Sequence, residues 1–166
     1  MATELSTSHD DIYRELRSYL LALFNLPQDN VIRGYSNNVP LPNGDFILMN
    51  ILHEKALSTN AHNYSINESN TEVSHTAEIM IQLDFYGESA VKMAKTFCLL
   101  WRDFYACEHF TCGSPLYCDE PKFMQFINER SEYENRWLVT AYFNYNPVIT
   151  HQQEFITDPL IQINKV

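Results

Sequence analysis

The stretch that most constrains the fold is Ala77 to Tyr86. Ala77, Ile79, Ile81, Leu83 and Phe85 alternate with Glu78, Gln82 and Asp84, and a period of two puts the two sets on opposite faces of one extended strand. Such a strand belongs to a sheet with one dry face, which needs an apolar cover. The cover follows at once. Gly87-Glu88-Ser89 turns the chain into a segment where Ala90, Ala94, Phe97, Trp101, Phe104 and Tyr105 keep helical spacing. An earlier helix begins at Ser8-His9-Asp10-Asp11, a hydroxyl with a carboxylate three positions on, which is a capping pattern. Ile12, Leu16, Tyr19, Leu20, Leu23 and Phe24 form its apolar stripe, and Pro27 closes it.

Between these anchors the chain is readable in parts. Asn30 to Asn43 holds Gly34, Asn37, Asn38, Pro40, Pro42 and Asn43, too many turn residues for a helix. Phe46 to Leu52 is almost continuously apolar and reads as a central strand buried on both faces. Residues 58–75 are polar, so they are expected to form an exposed loop or a long, mobile hairpin tip that orders at a subunit interface. A short strand is expected near Leu116, an irregular stretch over Phe123 to Asn128, and a last strand over Arg136 to Asn144 with Trp137, Val139, Ala141 and Phe143 inward. Thr150 to Val166 is too polar to assign. The order of elements implies an α+β class: a mostly antiparallel sheet of about four strands with helices on one face. A single domain over 1–166 is expected, with its core over about 8–150 and a C-terminal extension over 151–166.

Composition removes several function classes. The 166 residues are 45% hydrophobic and 19% charged, which is a folding composition. A net charge of −10 leaves no positive field for phosphate, so nucleic-acid binding is disfavoured. The N-terminus lacks a basic and apolar leader, and no apolar run reaches the roughly 18 residues that span a bilayer, so a cytosolic protein without membrane contact is expected. Four cysteines are then expected to be reduced.

The candidate chemical cluster is Cys107, His109, Cys112 and Cys118, four possible ligands within twelve residues, because thiolate and imidazole are the usual zinc ligands. Its spacing gives no Cys-x-x-Cys knuckle and no second half, so no metal is expected. Buried free cysteine mostly behaves as a small hydrophobe. Serines and carboxylates occur without a Gly-x-Ser-x-Gly elbow or a His-Glu-x-x-His helix. His53, His62, His75 and His151 are scattered, and four glycines form no phosphate-cradling loop. No catalytic, cofactor-binding or metal residue is assigned, and no enzyme is expected. Arg33-Gly34-Tyr35 and Glu132 to Trp137 mix guanidinium and aromatic groups, which are expected to pack across strands. A small metal-binding or protein-interaction module, or less readily a hydrolase, stays open as an alternative.

Several segments in order resemble the phage neck terminator and tail terminator family. They are Val31 to Gly34, Asn38 to Pro42 and Phe46 to Met49; Gln82 to Gly87 with Ala90; Pro115 to Cys118; and Tyr133 to Trp137 leading to Tyr145-Asn146-Pro147. The resemblance spans about residues 10–150. One departure is Glu129-Arg130 after Asn128, where the family pattern has a glycine. The resemblance implies a virion structural subunit with an antiparallel sheet flanked by helices. It implies assembly into a ring, a hexamer in the family, at the head-proximal end of the tail. Its implied partners are other copies, the tail tube or sheath, and head-completion proteins. Its implied location is the host bacterial cytoplasm during assembly, then the virion tail or neck.

Overall fold

A computed structural model describes residues 3, 5–34, 41–65, 67–127 and 133–154. In chain order the elements are α1 (His9–Phe24), β1 (Val31–Arg33), β2 (Phe46–Ala56), β3 (Ala61–Ser65), β4 (Asn70–Ser74), β5 (Ala77–Tyr86), α2 (Ala90–Trp101), α3 (Phe104–Cys107), β6 (Ser114–Cys118), β7 (Lys122–Ile127), β8 (Tyr133–Tyr145) and β9 (Val148–Gln152).

The main sheet has six strands in the order β1-β2-β5-β8-β6, with β7 also on β8. Only β1 and β2 run parallel; β2, β5, β8, β6 and β7 pair antiparallel. The α+β class therefore holds, and the sheet is larger than four strands. Its centre is β5, pairing Phe46 to Ala56 on one side and Arg136 to Tyr145 on the other. The strand expected to be central, β2, is interior but lies one place off the middle. A bulge between Ile51 and His53 breaks its register, and Leu52 is exposed.

The dry face is the one the alternation specifies. Ala77, Ile79, Ile81, Leu83 and Phe85 are fully buried, as are Val139, Ala141 and Phe143 of β8. Both long helices cover it. On α1, the Ser8 amide donates to Asp11 Oδ2 at 2.9 Å while the Asp11 amide donates back to Ser8 Oγ at 3.4 Å, closing the capping box. Its C-terminus passes through Asn25 in the left-handed region (φ 50°) before Pro27. Ile12, Leu16, Tyr19 and Leu20 face inward, and Tyr19 meets Phe97 and Trp101 of α2 at 6.4 and 6.0 Å between ring centroids. The Trp101 indole N–H donates to the carbonyls of Tyr117 and Tyr142, at 3.2 and 3.3 Å, tying helix to sheet. Gly87 has φ +101°, and a Cβ there would lie 2.2 Å from Asp45 Oδ1, the oxygen that accepts from the Ser89 amide at 3.0 Å. A side chain at Gly87 would push out the group that holds the start of α2.

Three expectations change. The second helix ends at Trp101: the Asp103 carboxylate accepts from the Tyr105 amide at 2.9 Å and restarts the chain as the one-turn α3, leaving Phe104 73% exposed. The stretch from Phe123 is the regular strand β7, because β8 is long enough to pair with β6 at one end and β7 at the other; Asn128 lies outside the described residues. Thr150 belongs to β9, and 155–166 lie outside the described residues.

The polar 58–75 segment is a hairpin of β3 and β4 that β9 extends into a second, three-stranded sheet. Leu5 makes a bridge to Ile149, and the Ser6 amide donates to the Val148 carbonyl at 2.9 Å, on the far side of β9. This arm continues beyond the β2–β5–β8 end of the main sheet.

Candidate interaction surfaces

The thiols and imidazole of the suggested cluster take separate places. Cys107 is exposed at the end of α3. The His109 ring lies against Tyr105 and Tyr19, at 4.6 and 5.3 Å, with Nδ1 2.8 Å from the Tyr105 carbonyl. Cys112 sits in a turn held by α1: the Glu15 carboxylate accepts from the amides of Thr111 at 2.9 Å and Cys112 at 3.2 Å, and from the Thr111 hydroxyl. Burial, reinforced by the neighbouring Glu15, pushes the Cys112 thiol up to about 12, so it stays protonated at neutral pH. Cys118 is buried on β6 beside Cys98 of α2, its Sγ 3.8 Å from the Cys98 carbonyl. The shared hydrogen bond with Cys118, together with burial, raises the Cys98 thiol. Among the described residues, no three His, Cys, Asp or Glu side chains converge as a metal-holding group.

Of the two guanidinium and aromatic mixtures, Arg136 packs across strands, over the Tyr86 ring of β5 at 5.8 Å, whereas Arg33 turns to helix α1 instead of a neighbouring strand. Arg33 lies over the Tyr13 ring at 4.3 Å and pairs with Asp10 at 2.8 Å; Tyr35 lies outside the described residues. Arg136 donates from Nε and Nη2 to Asp84 Oδ1 at 3.0 and 2.9 Å, while Gln82 donates to Asp84 Oδ2 at 2.7 Å. Asp84 is only 2% exposed although it belongs to the face away from the helices, and these donors take the place of water on its carboxylate. A concavity of about 990 Å³ between α1 and β1 has Arg14, Arg17 and Arg33 in its wall. Arg14 pairs with Asp11, and Arg17 donates to the backbone carbonyls of Val31 and Gln28. Arg17 and Arg33 thereby hold α1 to β1, while the Arg14 pair stays within α1. His53, His62 and His151 lie on β2, β3 and β9, with His75 just before β5, and His62 stacks on Tyr64.

What is left for function is surface. The α2 helix buries Ala90, Met93, Ala94, Phe97, Cys98 and Trp101 and points Lys92, Lys95 and Leu99 outward, with Leu99 75% exposed. Phe104 continues that apolar exposure. On β6 and β7, Leu116, Tyr117, Phe123 and Met124 are exposed, with Tyr117 stacked on Tyr142 at 4.3 Å and Phe123 against Trp137 at 5.6 Å. The arm is exposed along all of β3 except Ser65 and along most of β9. The aromatic surplus in the composition signalled such surfaces without placing them. The outward set on α2 was legible as the complement of the Ala90, Ala94, Phe97, Trp101 stripe.

The fold has a solved counterpart in the sheath/tube terminator of an extracellular contractile injection system (PVC) in its extended state. The two share 8% identity at a TM-score of 0.54, over 96% of this chain and 64% of that one. The chain thus spans less than two thirds of that terminator's length, and the likeness is one of fold. Among curated proteins no sequence matches it. A sequence profile of phage neck terminator proteins matches residues 10–166, nearly the whole length and the same segments whose order carries the resemblance. With the matching fold in place, the chain belongs to the phage neck terminator family.

Proposed function

We propose that the chain is a structural tail terminator and acts as one ring-forming domain, a hexamer by family resemblance, that closes the head-proximal end of a tail. It contacts the tube or sheath on one side and head-completion proteins on the other, after assembly in the host cytoplasm. The profile match over residues 10–166 is the observation that carries the reading. Its surface supports it: Glu15, Arg17, Asp84, Arg102 and Arg136 are engaged within the fold, while Leu99, Phe104, Leu116, Tyr117 and Phe123 are exposed apolar and aromatic groups available for contact. The subunit works by contact, without catalysis or a resident metal. No described helix is long and apolar enough to cross a membrane.

Charge gives the ring a testable property. Six copies at −10 each carry about −60, a field that repels phosphate and keeps duplex DNA moving through the lumen. The same charge opposes assembly, and moderate salt screens it over a Debye length of about 10 Å at 0.1 M. Light scattering over a salt series should show ring formation strengthening between low and moderate salt, and a duplex shift assay at low salt should show no tight binding. Strict monomer at every salt and protein concentration, or tight DNA binding, overturns this reading.

A further inference from the structure

Two surfaces of one subunit are complementary to each other. Opposed residues in paired strands share a face and neighbours alternate, so one face of the arm carries Ala61, Ser74 and Val148 at its base and Asn63, Glu72 and Thr150 one step further out. Glu68 stands in the turn beyond. Ala61, Asn63, Glu68, Glu72 and Thr150 are exposed. No Lys or Arg occurs between Lys55 and Lys92, nor between Arg136 and Lys165, so the whole arm lacks Lys and Arg. Asn63 and Asn70 donate to the carboxylates of Glu72 and Glu68 at 3.2 and 3.0 Å.

The outward face of α2 has the reverse character. Lys92 and Lys95 are exposed and make no ion pair among the described residues, in a chain with an excess of acid. Leu99 completes the row, and Phe104 extends its apolar end. The face therefore runs from cationic to apolar, as the arm runs from acidic tip to small and apolar base. The steps agree. Lys95 to Leu99 is about 6 Å along a helix at 1.5 Å per residue, and the Glu72 row lies about 7 Å from the Ala61 row at 3.4 Å per residue. With Leu99 over Ala61 and Val148, Lys95 meets Glu72 and Lys92 points toward Glu68.

We infer that the polar face of one subunit's arm docks on the outward face of α2 of a second copy, a heterologous contact of the kind that closes rings. The inference rests on the ring reading and names its contact. It accounts for an exposed three-stranded sheet with little apolar cover of its own. It also explains how like-charged subunits associate, since contact pairs shielded from solvent survive salt that screens the net repulsion.

The test uses the full chain and two charge reversals, Lys92→Glu with Lys95→Glu, and Glu68→Lys with Glu72→Lys. All four side chains are exposed, so circular dichroism should match the parent. By sedimentation velocity each reversal alone should weaken self-association at least tenfold. An equimolar mixture of the two should recover it, because every arm then meets an α2 of opposite sign. Recovery on mixing also rules out misfolding as the cause of the loss. If both variants associate like the parent, or the mixture stays dissociated while the parent assembles, the arm contact is overturned and the ring reading stands. The same holds if the variants self-associate normally but lose binding to purified tails, which assigns the arm to a tail partner. A parent that is monomeric at every concentration overturns both.

Discussion

The main sheet and the arm are built from the same hydrogen-bonded ladder and differ in what they bury. On β5 every inward residue from Ala77 to Phe85 is fully buried under α1 and α2. On β3, Ala61, His62, Asn63 and Tyr64 are all exposed, and among the described residues of the arm the fully buried one is Thr71, whose hydroxyl donates to Gln153 at 2.7 Å. A ladder satisfies backbone groups, yet its net contribution per bond is small, and apolar burial decides whether a sheet stands alone. The main sheet is therefore a scaffold, and the arm is a piece of sheet whose second layer has to come from elsewhere.

The sharpest way to break this comparison is to hollow the scaffold. Trp101→Ala removes the ring between Phe97, Phe110, Phe143 and Tyr19 together with two indole hydrogen bonds, and should cost about 3–5 kcal/mol in denaturant unfolding. A loss below about 1 kcal/mol would show that the helix layer is not what holds the sheet. Next in size is Arg136→Ala, which strands the Asp84 carboxylate on the open face with only Gln82 as donor. A loss of about 3 kcal/mol is expected, and Arg136→Ala with Asp84→Ala together should cost less than the single change.

Glu15→Gln tests the clamp between α1 and the Thr111–Cys112 turn, with an expected loss of about 1.5 kcal/mol at pH 7. Partial burial would raise this carboxyl's pKa, but the hydrogen bonds from Cys112 and Thr111 outweigh it and hold it below the ordinary value. A depressed folded pKa means that folding favours the ionised form. Its contribution is complete above about pH 5 and is lost as acid takes the pH down through the lowered value. The difference between parent and variant should shrink in the same direction, and a difference that grows in acid would contradict the geometry.

The smallest effect belongs to the arm. Tyr64→Ala, at an exposed position, should change the unfolding free energy of the isolated subunit by no more than about 0.5 kcal/mol. Hydrogen exchange should sharpen the contrast: amides of Ala61 to Ser74 should exchange far faster than those of Ile79 to Phe85 in the monomer and slow on assembly. Equal protection of the two segments in the monomer would remove the distinction between scaffold and arm.

Much of this was legible in the residues because the signals were local. The Ser8–Asp11 capping box, the α1 stripe and Pro27 mark one helix within a residue or two. The alternation of Ala77 to Tyr86 gave both the extent of β5 and its dry face. The ordered segments from Val31 to Pro147 pointed to the family that the profile match shows.

Tertiary structure decided whatever depends on a distant partner. Lys122 to Ile127 has no clean alternation and becomes a strand because β8 offers it an edge. Local polarity left 58–75 as either an exposed loop or a hairpin tip, and pairing of the hairpin with Val148 to Gln152, some 75 residues on, made it a three-stranded sheet. Asp84 reads as solvent-facing until Arg136, 52 residues away, is brought to it. Periodicity determines which face of an element is apolar, since that is a property of neighbours in sequence. Which apolar or charged faces stay open depends on how elements close over one another, and that left Lys92, Lys95, Leu99 and the arm at the surface.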